Sequence, residues 1–115
     1  RAFVAYEAQE YYKAINLFNS VKTPDEAYII YYKGLCFLAV EKSDEAIALL
    51  SEVASKPSLE GESANLNEKA NWYLAMAFLK NNEPEKAISR LSLMINNPSS
   101  NFKKQEAQEI LGYLK

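Results

Sequence analysis

The chain has 115 residues, of which 49% are apolar and 24% are charged, as in ordinary soluble globular proteins. A chain of this length buries roughly two thirds of its unfolded surface, which is enough for one domain with its own core. Thirteen basic and fifteen acidic residues leave a net charge of −2, so no general attraction to nucleic acid or to an anionic lipid surface is expected.

Hydrophobic spacing and helix-boundary residues predict seven helices and no strand. The helices are expected at about 2–8, 11–21, 24–40, 44–55, 66–81, 84–96 and 102–114. The third should begin at Thr23, Pro24 and Glu26, which supply a capping hydroxyl, a first-turn proline and a glutamate three residues after the cap. Pro84 is expected in the first turn of the sixth helix. Residues 55–67 are predicted to form a loop.

A small residue recurs in three windows, and twelve positions after it comes an alanine followed by isoleucine. The small residues and their alanines are Ala2 with Ala14, Gly34 with Ala46, and Ala75 with Ala87. Because a small side chain lets a neighbouring backbone approach closely, each window predicts two helices packed as a hairpin. One such hairpin cannot bury both of its apolar faces, so consecutive hairpins are expected to stack.

These windows resemble the tetratricopeptide repeat (TPR) family, whose pattern contains a tryptophan, then leucine-glycine and an aromatic residue, later alanine and phenylalanine, and a closing proline. The residues that match this pattern in the second window are Gly34, Phe37, Ala46, Leu50 and Pro57. The stretch WYLAMAFLKNNEPEKAI, residues 72–88, is the most typical of the family. Trp72 departs from the pattern, because it lies two rather than three residues before Leu74.

The resemblance implies an all-α fold, a right-handed solenoid of antiparallel helix pairs forming one domain over 1–115. Its units are expected at about 1–23, 24–57 and 66–97, with a capping helix at about 102–114. The first unit lacks its first two turns, so the chain is interpreted as a piece of a longer protein. The chain is similar to the repeat domains of bacterial proteins in which a membrane anchor precedes the repeats. The compartment therefore stays open between the cytoplasm and, if an anchor or signal lies upstream, the periplasm.

The sequence does not favour catalysis. It contains no histidine, and no glycine-rich phosphate loop or nucleophile motif is present. The single cysteine, Cys36, has apolar neighbours and is predicted to be an inert core thiol. We therefore expect no enzyme, no cofactor and no metal, and no apolar run is long enough to insert into a membrane.

In a stacked solenoid the first helices of successive units line a concave face. A second apolar stripe on these helices is rich in aromatic residues and comprises Phe3, Tyr6, Tyr28, Tyr31, Leu35, Leu38, Lys69, Trp72, Met76 and Leu79. Since a soluble helix needs only one apolar face, the stripe predicts that a peptide or helix of a partner protein binds there. The alternative is that the stripe only packs neighbouring units together, and the sequence leaves both interpretations open.

The family's well-known site binds a C-terminal carboxylate through a clamp of lysine, asparagine and arginine. The corresponding positions here hold Tyr31, Leu35, Trp72 and Met76, so the clamp is absent. The leading hypothesis is a scaffold that binds another protein and no nucleic acid. A second hypothesis is self-association, or docking onto the rest of a longer parent protein, through an exposed N-terminal edge that includes Phe3.

Overall fold

The computed structural model describes residues 1–23, 26–56, 65–98 and 101–115. Within these ranges the chain forms seven α-helices and no strand, so the predicted all-helical fold is confirmed. The helices are α1 (Ala2–Glu7), α2 (Tyr11–Asn19), α3 (Ala27–Ala39), α4 (Ser43–Ala54), α5 (Leu66–Lys80), α6 (Pro84–Asn96) and α7 (Lys104–Leu114). Their ends agree with the predicted ends to within three residues.

The largest difference lies at the start of α3. This helix begins at Ala27 and not at the predicted Thr23 cap. Glu26 precedes it in an extended conformation, and its backbone N–H donates to the Thr23 carbonyl at 3.2 Å. Pro24 and Asp25 lie outside the described residues, as do Pro57 and most of the predicted loop. Pro84 is the first residue of α6, as predicted.

The small residues of the three windows all lie in the interior. Ala2 is 6% exposed, Ala14, Ala46, Ala75 and Ala87 are fully buried, and Gly34 is buried as well. A Cβ atom added to Gly34 would lie 3.0 Å from Cγ of Leu50 and 3.4 Å from Cβ of Leu49. The backbone of α3 therefore rests directly on the side chains of α4, which is the close approach that the small residue predicts.

In the helix pairs α1–α2, α3–α4 and α5–α6, the first helix ends in the same left-handed turn. The residue with positive φ in these turns is Gln9 at 63°, Glu41 at 63° and Asn82 at 60°, respectively. The next residue donates its backbone N–H to a carbonyl five positions back, in the pairs Glu10 to Ala5, Lys42 to Phe37 and Glu83 to Phe78, at 2.9, 2.9 and 2.8 Å. This is the Schellman arrangement, which satisfies carbonyls at a helix end. The second helix then starts one residue later in each pair.

The helices pack mainly against their neighbours in the chain, and α3 also contacts α5. The buried residues form two clusters, one from α1, α2 and α3 and the other from α3 through α7. Helix α3 contributes Ile29 and Cys36 to the first cluster and Ile30 and Leu38 to the second. It therefore holds the two halves of the molecule together. None of the described helices is both long and apolar enough to cross a bilayer.

Valine at position 34 should destabilise the fold strongly. The added Cβ alone would lie 3.0 Å from Cγ and 3.1 Å from Cδ2 of the fully buried Leu50, and valine adds two methyl groups to that Cβ. We expect Gly34→Val to lower the free energy of unfolding by about 2 kcal/mol or more, measured by urea denaturation. The matched control is Gly112→Val, because a Cβ at Gly112 meets nothing within 4 Å. It should change the free energy by less than about 0.5 kcal/mol, and equal losses at both sites would contradict the close approach.

Candidate functional site

Six aromatic side chains from α1, α3 and α5 form one connected set of ring contacts, which we call the aromatic network. Its members are Phe3, Tyr6, Tyr28, Tyr31, Tyr32 and Tyr73. Tyr32 is the centre, because its ring lies edge-on to three others at centroid distances of 5.0 to 5.3 Å. Tyr31 connects the network to Tyr73 on α5 at 6.2 Å. Edge-to-face pairs of this kind each contribute about 0.5–1.5 kcal/mol beyond the area they bury.

Phe3, which was expected at an exposed N-terminal edge, has several contacts within the chain. Phe3 is half-buried, and its ring lies edge-on to Phe18 of α2 at 5.1 Å and stacks on Tyr28 at 6.1 Å. Phe3 therefore packs against α2 and α3, and its contact with a partner stays a prediction. The apolar side chain that stands out at this edge is the next one, Val4, which is 71% exposed.

An open groove of about 210 Å³ lies beside the aromatic network, and we call it the tyrosine groove. Its lining comes from α1, the start of α2, α3 and α5, and comprises Tyr6, Tyr11, Leu35, Leu38, Ala39, Tyr73 and Lys80. The rings of Tyr6 and Tyr11 contact each other edge-on at 6.0 Å. Leu35 and Leu38 are each 9% exposed, whereas Ala39 and Lys80 are exposed. The groove therefore has apolar walls and one charged residue.

The polar atoms of the tyrosine groove have no partner in the described part of the chain. The hydroxyls of Tyr6, Tyr11 and Tyr73 make no hydrogen bond there, and Lys80 forms no ion pair. No carboxylate belongs to the lining. The groove therefore offers hydrogen-bond donors and one positive charge to a molecule that enters it.

Burial raises the pKa of several weak acids near the groove. It raises the pKa of Tyr6 to about 12, and the neighbouring phenols of Tyr32 and Tyr73 add to this effect. Burial also raises the pKa of Tyr31, again with a contribution from Tyr73, and it raises the pKa of Cys36 to about 11. The reason is that a charged phenolate or thiolate loses its hydration in the interior. All three groups therefore stay protonated at neutral pH.

The ten residues of the predicted stripe divide into three groups. Tyr6, Leu35 and Leu38 line the tyrosine groove. Phe3, Tyr28 and Tyr31 belong to the aromatic network without lining the groove. The remaining four lie on α5, and they are Lys69, Trp72, Met76 and Leu79.

Trp72 shows how packing accounts for part of the stripe. It is 9% exposed, and the ammonium group of Lys103 lies 5.4 Å from the centre of its ring. This cation–π contact joins α5 to the start of α7. Met76 and Leu79 pack against the core, and Lys69 is half-buried. Contact with a partner stays a prediction for all ten residues, and the packing alternative describes Trp72 and the 3% exposed Tyr31 best.

Four residues of the groove and network were not predicted from the sequence, and they are Tyr11, Tyr32, Ala39 and Tyr73. Lys80 was expected only as one of three lysines, with Lys33 and Lys69, that could tune the charge of this face. A usable signal was present, because Tyr32 and Tyr73 are separated by the same number of residues as Ala46 and Ala87. Ala39 and Lys80 have this separation too. Ala39 and Lys80 both line the groove, whereas Tyr32 belongs to the aromatic network and Tyr73 to both.

No protein-family model matches the chain, and no curated protein or solved structure matches it either. In the ranges that the structure describes, no three side chains among histidine, cysteine, aspartate and glutamate are grouped so that they could hold a metal ion. Within the described residues, the tyrosine groove combines an apolar surface with hydroxyl and ammonium groups that have no partner there.

The raised pKa values predict a loss of stability in alkali. The unfolded chain releases these protons near pH 9 for Cys36 and near pH 10 for the tyrosines, whereas the folded chain retains them to about pH 11 or 12. The folded state thus binds more protons in this window, so the free energy of unfolding should fall as the pH rises above 9. Urea denaturation at several pH values would measure the fall.

Two substitutions test the cause of this alkaline loss. Tyr31→Phe removes a titrating phenol that is only 3% exposed, so it should flatten the dependence on pH. Tyr113→Phe is the matched control at a site that is 93% exposed, and it should leave the curve unchanged. A urea midpoint that stays constant up to pH 11 in the unmodified chain would contradict the burial of these groups.

Proposed function

We propose that the chain is a protein-interaction module, built as a right-handed, TPR-like solenoid of antiparallel helix pairs, that holds another protein and does not catalyse a reaction. In this proposal an extended peptide or a helix of the partner enters the tyrosine groove. The observation that carries the proposal is the groove itself, which combines apolar walls with hydroxyl and ammonium donors that have no partner in the described chain.

Three features support the solenoid part of the proposal. The helix pairs α1–α2, α3–α4 and α5–α6 share the same Schellman turn. Each pair also buries the small residue and the alanine of the repeating pattern. The chain further resembles the TPR family at these positions. In such a solenoid, the groove-lining residues of α1, α3 and α5 belong to the concave face.

The geometry also bounds the strength of binding. A peptide that extends from the groove along the first helices would bury on the order of 1,000 Å² in total. Interfaces that bury so small an area are usually transient, and ordering a flexible peptide has an entropic cost. We therefore expect an affinity nearer micromolar than nanomolar, which suits an adaptor that releases its partner.

Blocking the groove should abolish binding of a peptide partner. Ala39 lines the groove and is exposed, so a large side chain there fills the space without disturbing the core. Peptides selected from a displayed random library would be labelled, and their affinity measured by fluorescence anisotropy. Ala39→Trp should weaken binding at least about tenfold, which corresponds to about 1.4 kcal/mol.

The matched control for Ala39→Trp is Ala48→Trp. Ala48 is an exposed alanine on α4, and it is not among the residues that line the groove. This variant should bind the selected peptides like the unmodified chain. A library that yields no binder, or binders equally affected by both variants, would contradict the groove as the binding site.

A second candidate function is self-association, or docking onto another part of a longer parent protein. It is favoured by Val4, which is 71% exposed at the N-terminal edge. A shallow cavity of about 230 Å³ lies beside it, lined by Arg1, Val4, Ala5, Glu10, Lys13 and Leu17. An apolar side chain beside such a cavity could pack against a second copy or a preceding helix pair.

Light scattering over a wide concentration range tests this second candidate. If the edge self-associates, the apparent mass should rise with concentration, and Val4→Glu should abolish the rise because it places a charge in the contact. Leu93→Glu is the matched control, because Leu93 is 55% exposed on α6, away from this edge. A strict monomer at every concentration would exclude the dimer and leave only docking within a longer chain.

A further inference from the structure

We infer that the tyrosine groove recognises an acidic–apolar segment of its partner, in which one apolar side chain enters the groove and a neighbouring carboxylate side chain binds Lys80. This inference rests on the proposed function and specifies the chemistry of the partner. It follows from the size of the groove, the nature of its walls, and the positive charge of Lys80, the one charged side chain among the described residues that line it.

The size of the groove suits a single side chain. Its volume is about 210 Å³, whereas a cavity of about 150 Å³ is enough to hold a benzene ring. Leu35 and Leu38 provide an apolar surface, and the rings of Tyr6 and Tyr73 can contact an inserted group edge-on or face-on. One aromatic or leucine-sized side chain therefore fits the space.

The charges select an acidic neighbour for that side chain. Lys80 is exposed and forms no ion pair within the described residues, so its ammonium is available. Of the glutamates next to the helix ends, Glu83 lies 2.8 Å from Lys86, whereas Glu10 only approaches Lys13 at 4.0 Å. Glu7 and Glu41 form no ion pair within the described residues, and none of these four glutamates lines the groove. A carboxylate would meet only donors in the groove, whereas a lysine or arginine would meet a like charge.

The tyrosine hydroxyls add to this preference. A phenol can donate a hydrogen bond to a carboxylate only while it is protonated. Burial raises the pKa of Tyr6 to about 12, so its phenol remains a donor throughout the neutral range. The hydroxyls of Tyr11 and Tyr73 also have no hydrogen-bond partner among the described residues, so they can donate to the same carboxylate or to the peptide backbone.

Three pools of short synthetic peptides test the inference. Each pool has a central leucine, phenylalanine or tryptophan, flanked by aspartate and glutamate, by serine and glutamine, or by lysine and arginine. All peptides are amidated at the C-terminus, so that only side-chain carboxylates can contribute. Affinities are measured by anisotropy at low and high salt, because screening weakens an exposed ion pair.

The acidic pool should bind about tenfold tighter than the uncharged pool at low salt, and the basic pool should bind most weakly. High salt should reduce the difference. Lys80→Glu should remove the acidic preference and favour the basic pool. Lys22→Glu is the matched control, because Lys22 is exposed and does not line the groove. The Lys22→Glu variant should bind the three pools in the same order of affinity as the unmodified chain.

Failure of the acidic–apolar preference can be distinguished from failure of the proposed function. If all pools bind equally and Ala39→Trp abolishes each interaction, the acidic–apolar preference is wrong while the proposed function stands. A preference that survives in Lys80→Glu would likewise overturn the assignment of the carboxylate to Lys80. If no pool binds, or Ala39→Trp has no effect, the proposed function falls together with the inference.

Discussion

The close approach of α3 to α4 at Gly34 is the constraint on which the rest of the structure depends. The fully buried Leu50 fills the space that a side chain at Gly34 would need. This contact brings α3 into the centre of the molecule, where it contributes to both buried clusters. A larger residue would push the two helices apart, because closely packed interiors have no spare volume.

The central position of α3 explains its second apolar stripe. Eight of its thirteen residues are buried, so the helix is apolar around most of its circumference. Neighbouring helices cover a helix of this pattern on several sides. Here α1 and α2 share one buried cluster with α3, and α4 and α5 share the other. The abundance of aromatic residues on α3 is therefore largely a consequence of packing, and abundance by itself does not mark a binding surface.

The tyrosine groove is a candidate binding surface for a reason other than its aromatic content. It lies where the C-terminal ends of α3 and α5 meet Tyr6 and Tyr11. The chain reverses direction near this point, between one helix and the next. The Schellman turns reverse the chain within three residues, so side chains from consecutive pairs come close at this end. Apolar walls and donors without partners occur together there, and this combination is what a partner can use.

The sequence by itself determined the seven helices, their pairing and the burial of the small residues, because these follow from local spacing and from the volume of single side chains. It did not reveal the left-handed turns at Gln9 and Glu41, since neither residue type favours that conformation and the helix pair around each turn imposes it. Only the tertiary structure decided which aromatic residues are buried. Tyr31 and Tyr73 meet across two helices that are far apart in the chain, so no local pattern specifies their contact.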